Sequence, residues 1–428
     1  MHELSQMIKD DMKPALGVTE PGAIAFAVAK ARTYTKGDIT KINVAMNSGM
    51  YKNAFTCGIP NSNEVGNVFS AALGAVAGNA DKGLESLADV TAEDNVKAQE
   101  MIDRGIVTVE LSGITSRIFI EATVETVSDC AVVTIRDSHT NITKITVNGK
   151  VELETEDEHK SEEEEGEEAH SIHKYTLQQI YEYAKTVDIE EIRFIQEAYK
   201  VNLELFHEGL SNPRTTFARH LLELNGGKEV SDNEQATASL MCNAAIEARV
   251  IGLDKPAMSI TGSGAHGIIA TMPLYAAYKV NGYTEEELLR ATALSYLVCM
   301  YIKEYSGRLS AFCGCAIAAG SGMACALVYL RGGTVEMMAH TLNNMASSIT
   351  GMICDGGNQG CTMKGIAAVD AAYKSVDFAM KGIYISDVHG INGKTPEETM
   401  RNMGLIASPG MVGTEKTIVE IFEDKLKK

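Results

Sequence analysis

The rhythm of hydrophobic and polar positions changes twice along the chain. Residues 3–12 read as a short amphipathic helix, and after a loop Pro21 stands where a first helical turn begins. The segment that follows, GAIAFAVAKARTY, is apolar nearly all round, which predicts a buried helix over 21–35. From Ile39 the pattern shortens to β-branched runs with partial alternation: ITKINVAMNS, IVTVELS, SRIFIEATVET and CAVVTIRD. These predict strands, interrupted by one helix at NEVGNVFSAALGAVAG, so residues 39–150 form an α+β subdomain with a small antiparallel sheet. Beyond residue 173 the strand signals vanish. Helices are predicted near 175–184, 188–208, 233–252, 265–281, 284–304, 314–330, 334–352, 361–381, 395–405 and 416–427. The expected fold class is therefore α+β. A mainly α-helical domain spans 173–428, and the helices of residues 1–38 pack on it.

Composition adjusts this picture in three places. With 428 residues, 45% of them hydrophobic and 22% charged, the chain is long enough for two or three globular domains. The net charge of −19 is concentrated: Glu152 to Glu168 holds eleven acids and one lysine, which predicts a solvated acidic loop over 151–172. The remainder is mildly acidic, which argues against nucleic-acid binding. No basic and apolar leader is apparent at the N-terminus, and the most apolar stretch, Ala316 to Leu330, is broken by Gly320, Ser321 and Gly322. It is also shorter than the roughly 20 residues of a bilayer span. Nine cysteines without a disulfide-scaffold pattern suit a reducing compartment. The expectation is a cytoplasmic protein with no membrane partner, and its Ala- and Gly-rich helices suit a homo-oligomer.

Four polar clusters could carry chemistry. RLSAFCGCAIAAGSG and GMICDGGNQGCTMK place Cys313, Cys315, Cys354 and Cys361 at predicted helix ends beside glycines, where thiolates could converge on zinc or an iron–sulfur cluster. Their spacing matches neither a zinc ribbon nor a ferredoxin, and small buried thiols explain it equally well. ITGSGAHGIIA formally contains G-x-G-x-x-G, but no second strand follows, so a dinucleotide site is disfavoured. A loop with Ser263 and Gly264 at a helix N-terminus can instead cradle a carboxylate, with His266 beside it. Thr19 and Glu20 precede the first buried helix, and Ser48, Lys52 and Asn53 flank a turn after the first strand. Asp137 to Asn141 read as a turn, and Lys303 with Glu304 as a solvated helix end. Walker, G-x-S-x-G and H-E-x-x-H motifs are absent from the sequence.

In this order, VTEPGAIA, YKNAFTCGIP, DSHTNI, GSGAHGIIA, GRLSAFCGCAIAAG, GMICDGGNQGCTMK and GLIASPGMVGTE resemble the L-cysteine desulfidase family, a relative of the iron–sulfur L-serine dehydratase alpha chain. The resemblance runs from about Ala15 to Glu423 and leaves out the acidic stretch. It implies a lyase whose helical domain is catalytic. Its [4Fe-4S] cluster, held by cysteines with one iron open, would assist loss of β-SH or β-OH from a small L-amino acid, giving a 2-keto acid and ammonia. It points to Cys313 (or Cys315), Cys354 and Cys361 as metal ligands. Thr19, Ser48, Asn53, Ser263 and Gly264 would bind substrate, and Lys52, His266 and Glu20 would act in catalysis, with Lys52 or His266 as the base. Three departures stand out. Val18 replaces the cysteine of a C-T-E-P ligand motif, His266 stands where an amide is usual, and Asn358 replaces a lysine. A diverged enzyme acting on another small acid, with an altered cluster or none, and a non-catalytic binder of a small molecule are the alternative readings.

Overall fold

The computed structural model describes residues 1–115, 117–155, 171–307 and 309–427. The chain opens with α1 (Glu3–Asp11), β1 (Lys13–Leu16) and α2 (Thr19–Arg32). A smaller half follows: β2 (Ile39–Asn47), α3 (Ser48–Ala54), α4 (Asn67–Ala77), α5 (Ala92–Asp103), β3 (Val107–Gly113), β4 (Phe119–Thr126), β5 (Cys130–Arg136), β6 (Ile142–Val147) and β7 (Lys150–Glu154). The larger half begins with α6 (Leu177–Thr186), α7 (Ile189–Ile192), α8 (Gln196–Ser211), α9 (Phe217–Leu224) and α10 (Glu234–Val250). It continues through β8 (Pro256–Ser259), α11 (Gly264–Asn281), α12 (Glu285–Ser306) and a π-turn over Cys315–Ala319 that runs into α13 (Gly320–Leu330). It ends with α14 (Val335–Ile349), α15 (Gly360–Ala379), α16 (Pro396–Leu405) and α17 (Val412–Leu426). The fold is α+β, as the sequence pattern requires.

The sheet of the smaller half has the order β3-β2-β4-β5-β6-β7. It is mixed rather than antiparallel, because β2 and β3 run parallel. The reason lies in their connection. The segment between them carries α3, α4 and α5, and a crossover of that length returns the chain in the same direction. The expected strands at 39–48, 106–112, 116–126 and 130–137 are β2 to β5, whereas β6 and β7 extend the sheet into the start of the expected acidic loop. Most of that loop lies outside the described residues. Alternation is cleanest in β4, where Ile120, Ala122, Val124 and Thr126 are buried and the residues between them are half-buried.

Helix α2 packs against α4 and against β4 and β5, covering the buried face of this sheet rather than joining the helical half. Small residues make the contact close: a Cβ on Gly74 would lie 2.6 Å from the Ala25 carbonyl oxygen. In the larger half α10 is buried along its whole inner length and packs on α8, α9, α11 and α15. The short strand β8 pairs antiparallel with β1, so the first residues of the chain are sewn to the start of α11. The capping boxes of Thr176 and Thr284 open α6 and α12. Among the described residues no helix is long and apolar enough to cross a membrane.

Gly267 is the tightest approach in this region: a Cβ there would fall 1.8 Å from the Met258 carbonyl oxygen. Gly267→Ala is expected to cost about 3 kcal/mol in urea unfolding, because α11 would have to lift off β8. Gly413→Ala in α17, where a Cβ meets open space, is expected to stay within about 1 kcal/mol of the parent.

Candidate active site

The two halves meet at a cavity of about 80 Å³, room for a molecule of only a few non-hydrogen atoms. Residues from eight segments line it. The start of α2 brings Val18 and Glu20, α3 brings Asn53, and the β5–β6 turn brings His139. From the helical half come Arg249 near the end of α10, Thr261, Gly262, Ser263, Ala265 and His266 entering α11, and Lys303 near the end of α12. The loops 309–315 and 354–361 add Cys315, Cys354 and Cys361. A larger open cleft of about 650 Å³, lined by residues such as Asn61, Asn95, Glu208 and Arg214, has no cysteine, histidine or lysine in its wall. The smaller cavity is therefore the candidate site.

The cysteine loops lie side by side because their backbones are paired. The Cys313 N–H donates to the Met352 carbonyl at 3.0 Å, and the Cys354 N–H donates to Ala311 at 2.6 Å. Loop 354–357 is also laid on α3, with the Gly357 N–H donating to the Asn53 carbonyl at 3.1 Å. Gly356 adopts φ 100° there, and a Cβ would fall 2.4 Å from the Lys52 carbonyl oxygen, so only glycine fits. Asn358 folds the loop onto itself, accepting from the Gly360 N–H at 2.7 Å. The π-turn after Cys313 is a distortion that often marks functional positions in helices.

Glu20 is buried and ionised. Burial opposes its charge, but the imidazole of His139 at 3.7 Å and the amide of Asn53, which donates at 2.9 Å, outweigh burial and hold the carboxyl at about 2. His266 is held neutral: burial, then the charges of Lys303 and Arg249, push it down to about 3. Its Nδ1 pairs with the Thr261 hydroxyl at 2.5 Å, which leaves Nε2 on the Gly314 side. A side chain on Gly314 would meet both His266 Nε2 at 2.8 Å and Lys303 Cδ at 3.1 Å, so this glycine keeps the space between them open. Burial lowers the basicity of Lys303, although nearby thiols oppose this, and its ammonium donates to the Gly307 carbonyl at 2.7 Å.

The residues singled out from the sequence divide into two groups. Glu20, Asn53, Ser263, His266, Cys315, Cys354 and Cys361 line the cavity, whereas Thr19, Ser48, Lys52, Gly264 and Cys313 do not. Ser48 engages the backbone of Thr115, and Thr19 donates to the Gly262 carbonyl at 3.3 Å. Lys52 is buried in an ion pair with Glu415 at 2.9 Å and also donates to the Ser310 carbonyl. Burial would lower its basicity, but the Cys354 thiol and the Glu415 carboxylate raise it, so Lys52 stays charged and is poorly suited to accept a proton. Sequence reasoning missed three residues. Lys303 is buried rather than a solvated helix end, and His139 reaches Glu20 from what reads as a plain turn. Arg249 sits in a helical run without any local motif. For His139 the signal was the DSHTNI motif itself.

As placed, these residues do not fit a cluster held by three cysteines with one iron open. Among the described residues no three His, Cys, Asp or Glu side chains gather as a metal-binding group. Val18 is buried, and its methyl groups crowd Gly357, where a Cβ would be 2.8 Å away; an apolar wall stands where the C-T-E-P motif would offer a thiolate. Burial raises the Cys354 thiol above its ordinary range and that of Cys361 to about 11.

The ionised Glu20 has a consequence for stability. A carboxyl at about 2 in the folded chain contributes stability above its ordinary 4.5, and that contribution is lost as the pH falls towards 2. Glu20→Gln is expected to cost on the order of 3 kcal/mol at pH 7 in urea unfolding. The gap should narrow from pH 5 downwards; a gap independent of pH would mean that Glu20 is not ionised.

Comparison with known proteins matches residues 81–420 to the serine dehydratase alpha chain family. A UPF0597 protein of Clostridium botulinum (strain Langeland) is 40% identical over 424 residues, covering 98% of each chain. Another, of Caldanaerobacter subterraneus subsp. tengcongensis, is 36% identical over 422 residues, covering 99% of this chain and 98% of its own. A third, of Clostridioides difficile, is 32% identical over 424 residues and 99% of each chain. The family match spans most of the helical half together with β3 to β7, and the chain belongs to the serine dehydratase alpha chain family.

Proposed function

We propose that the protein is a lyase that removes the β-substituent, hydroxyl or thiol, from a small L-amino acid such as L-serine or L-cysteine. The observation that carries this reading is one small cavity in which an amine of lowered basicity, a neutral imidazole and a helix N-terminus stand together in a chain of this family. Lys303, in its deprotonated form, takes the α-proton. The electron pair left on the α-carbon is drawn into the substrate carboxylate and then forms the Cα–Cβ double bond as the β-group departs. The same Lys303, now an ammonium, returns the proton to the leaving oxygen or sulfur. The released aminoacrylate tautomerises to an imine, which water hydrolyses to a 2-keto acid and ammonia. His266, held neutral, adds no positive charge that would oppose the ammonium of Lys303. Glu20, fixed by Asn53 and His139, offers an acceptor for the substrate ammonium.

Val18 favours a second reading, a diverged member of the family that acts on another small acid. One set of measurements separates the two. The protein is purified without oxygen, its iron and sulfide are measured, and 2-keto acid and sulfide release are followed from L-serine and L-cysteine. Turnover of either supports the first reading. Binding of these amino acids without turnover supports the second, and neither binding nor turnover removes the first. Lys303→Met is expected to lower turnover by about 100-fold or more. Activity of the parent should rise with pH as Lys303 loses its proton and reach its plateau below the ordinary lysine range.

A further inference from the structure

We propose that Arg249, together with the N-terminus of α11, forms a seat for the carboxylate of a small monocarboxylic substrate. This rests on the proposed use of the cavity, but it concerns binding and not turnover. Arg249 ends α10, is 4% exposed and lines the cavity. Its Nε has no hydrogen-bond partner, and among the described residues no carboxylate lies within ion-pair distance of its guanidinium. A buried guanidinium without a directly paired carboxylate is costly, and the planar fork of an arginine matches the two oxygens of a carboxylate.

The second half of the seat is the entry to α11. The guanidinium runs along the first turn of the helix: a Cβ on Gly264 would lie 2.7 Å from Arg249 Nε, so glycine is what permits the approach. The N-cap residue, Ser263, makes no side-chain hydrogen bond to the helix, which leaves the first-turn N–H groups without the usual cap. Donors and the positive end of an 18-residue helix therefore face the same cavity as the unpartnered arginine. Glu20 is already engaged by Asn53 and His139 and supplies no counter-charge at hydrogen-bond distance. One carboxylate would complete both halves at once. Its placement also serves the proposed elimination, since a carboxylate held by a guanidinium and backbone N–H groups accepts the charge that develops when the α-proton leaves.

The test is equilibrium binding by calorimetry on the full chain, with L-serine and pyruvate as carboxylate probes and ethanolamine as the analogue of serine without its carboxylate. The parent should bind at least one carboxylate probe and should not bind ethanolamine measurably. Arg249→Met should weaken the carboxylate probes by about 30-fold or more. Arg249→Lys, which keeps the charge but not the fork, should fall between and also serves if the methionine variant does not fold. The proposal is overturned if ethanolamine binds as tightly as L-serine, if neither carboxylate binds the parent, or if the folded variants keep the parent's affinity. Carboxylate binding that depends on Arg249 without turnover would sink the lyase reading and leave this one standing. Turnover whose KM is unchanged in the Arg249 variants would do the reverse.

Discussion

The buried ion pair between Lys52 and Glu415 holds the site together. Lys52 lies on α3 of the smaller half and Glu415 on α17 near the C-terminus, and the same ammonium also takes the Ser310 carbonyl beside the first cysteine loop. Three segments distant in sequence are thus fixed at one point. The side chain of Lys52 is fully enclosed, so losing Glu415 alone would strand a charge in the interior, at a cost of roughly 3–5 kcal/mol. Pairing two such ions gains little net stability. Its effect is to specify how the halves meet, and the cavity exists only where they meet.

Charge within the cavity follows from that docking. Glu20 accepts from Asn53 and lies beside His139, while Lys52 is paired with Glu415 and Lys364 with Asp355, so each of these groups has a partner inside the protein. Arg249 lines the open space with no carboxylate at ion-pair distance among the described residues, and His266 beside it is held neutral. Such a site is preorganised for an anion: its dipoles are in place before a ligand arrives, and water competes weakly in a space this small.

The cysteine loops show how a family pattern can outlast one of its parts. Their backbone pairing, the glycines that let loop 354–357 lie on α3, and the π-turn after Cys313 are all in place. Val18, however, presents methyl groups to Gly357, at the position where the resemblance to a C-T-E-P motif would put a cysteine. One residue at the start of α2 thus sets an apolar wall opposite the thiols, while Glu20, Asn53, Ser263 and His266 keep the rest of the wall polar.

Local pattern made much of the fold legible. The 3.6-residue rhythm located α10 to α16 closely, and alternation located β2 to β5, because each of these elements buries a face that its own sequence encodes. Glu20, Asn53, Ser263 and His266 could be picked out because each sits in a short motif at an element boundary. The parallel pairing of β2 with β3, the docking of α2 on the sheet and the short strands β1 and β8 were not legible, since each depends on partners far along the chain. The same limit applies to the site. Nothing local distinguishes Lys303 or Arg249 from other charged residues on helices, and nothing local marks Lys52 as a structural ion rather than a base. By itself the sequence determined which elements form, which loops carry chemistry and that Val18 is out of pattern. Only the tertiary structure decided which charges face the cavity and which are spent on one another, because burial and pairing across distances of up to 363 residues set that outcome.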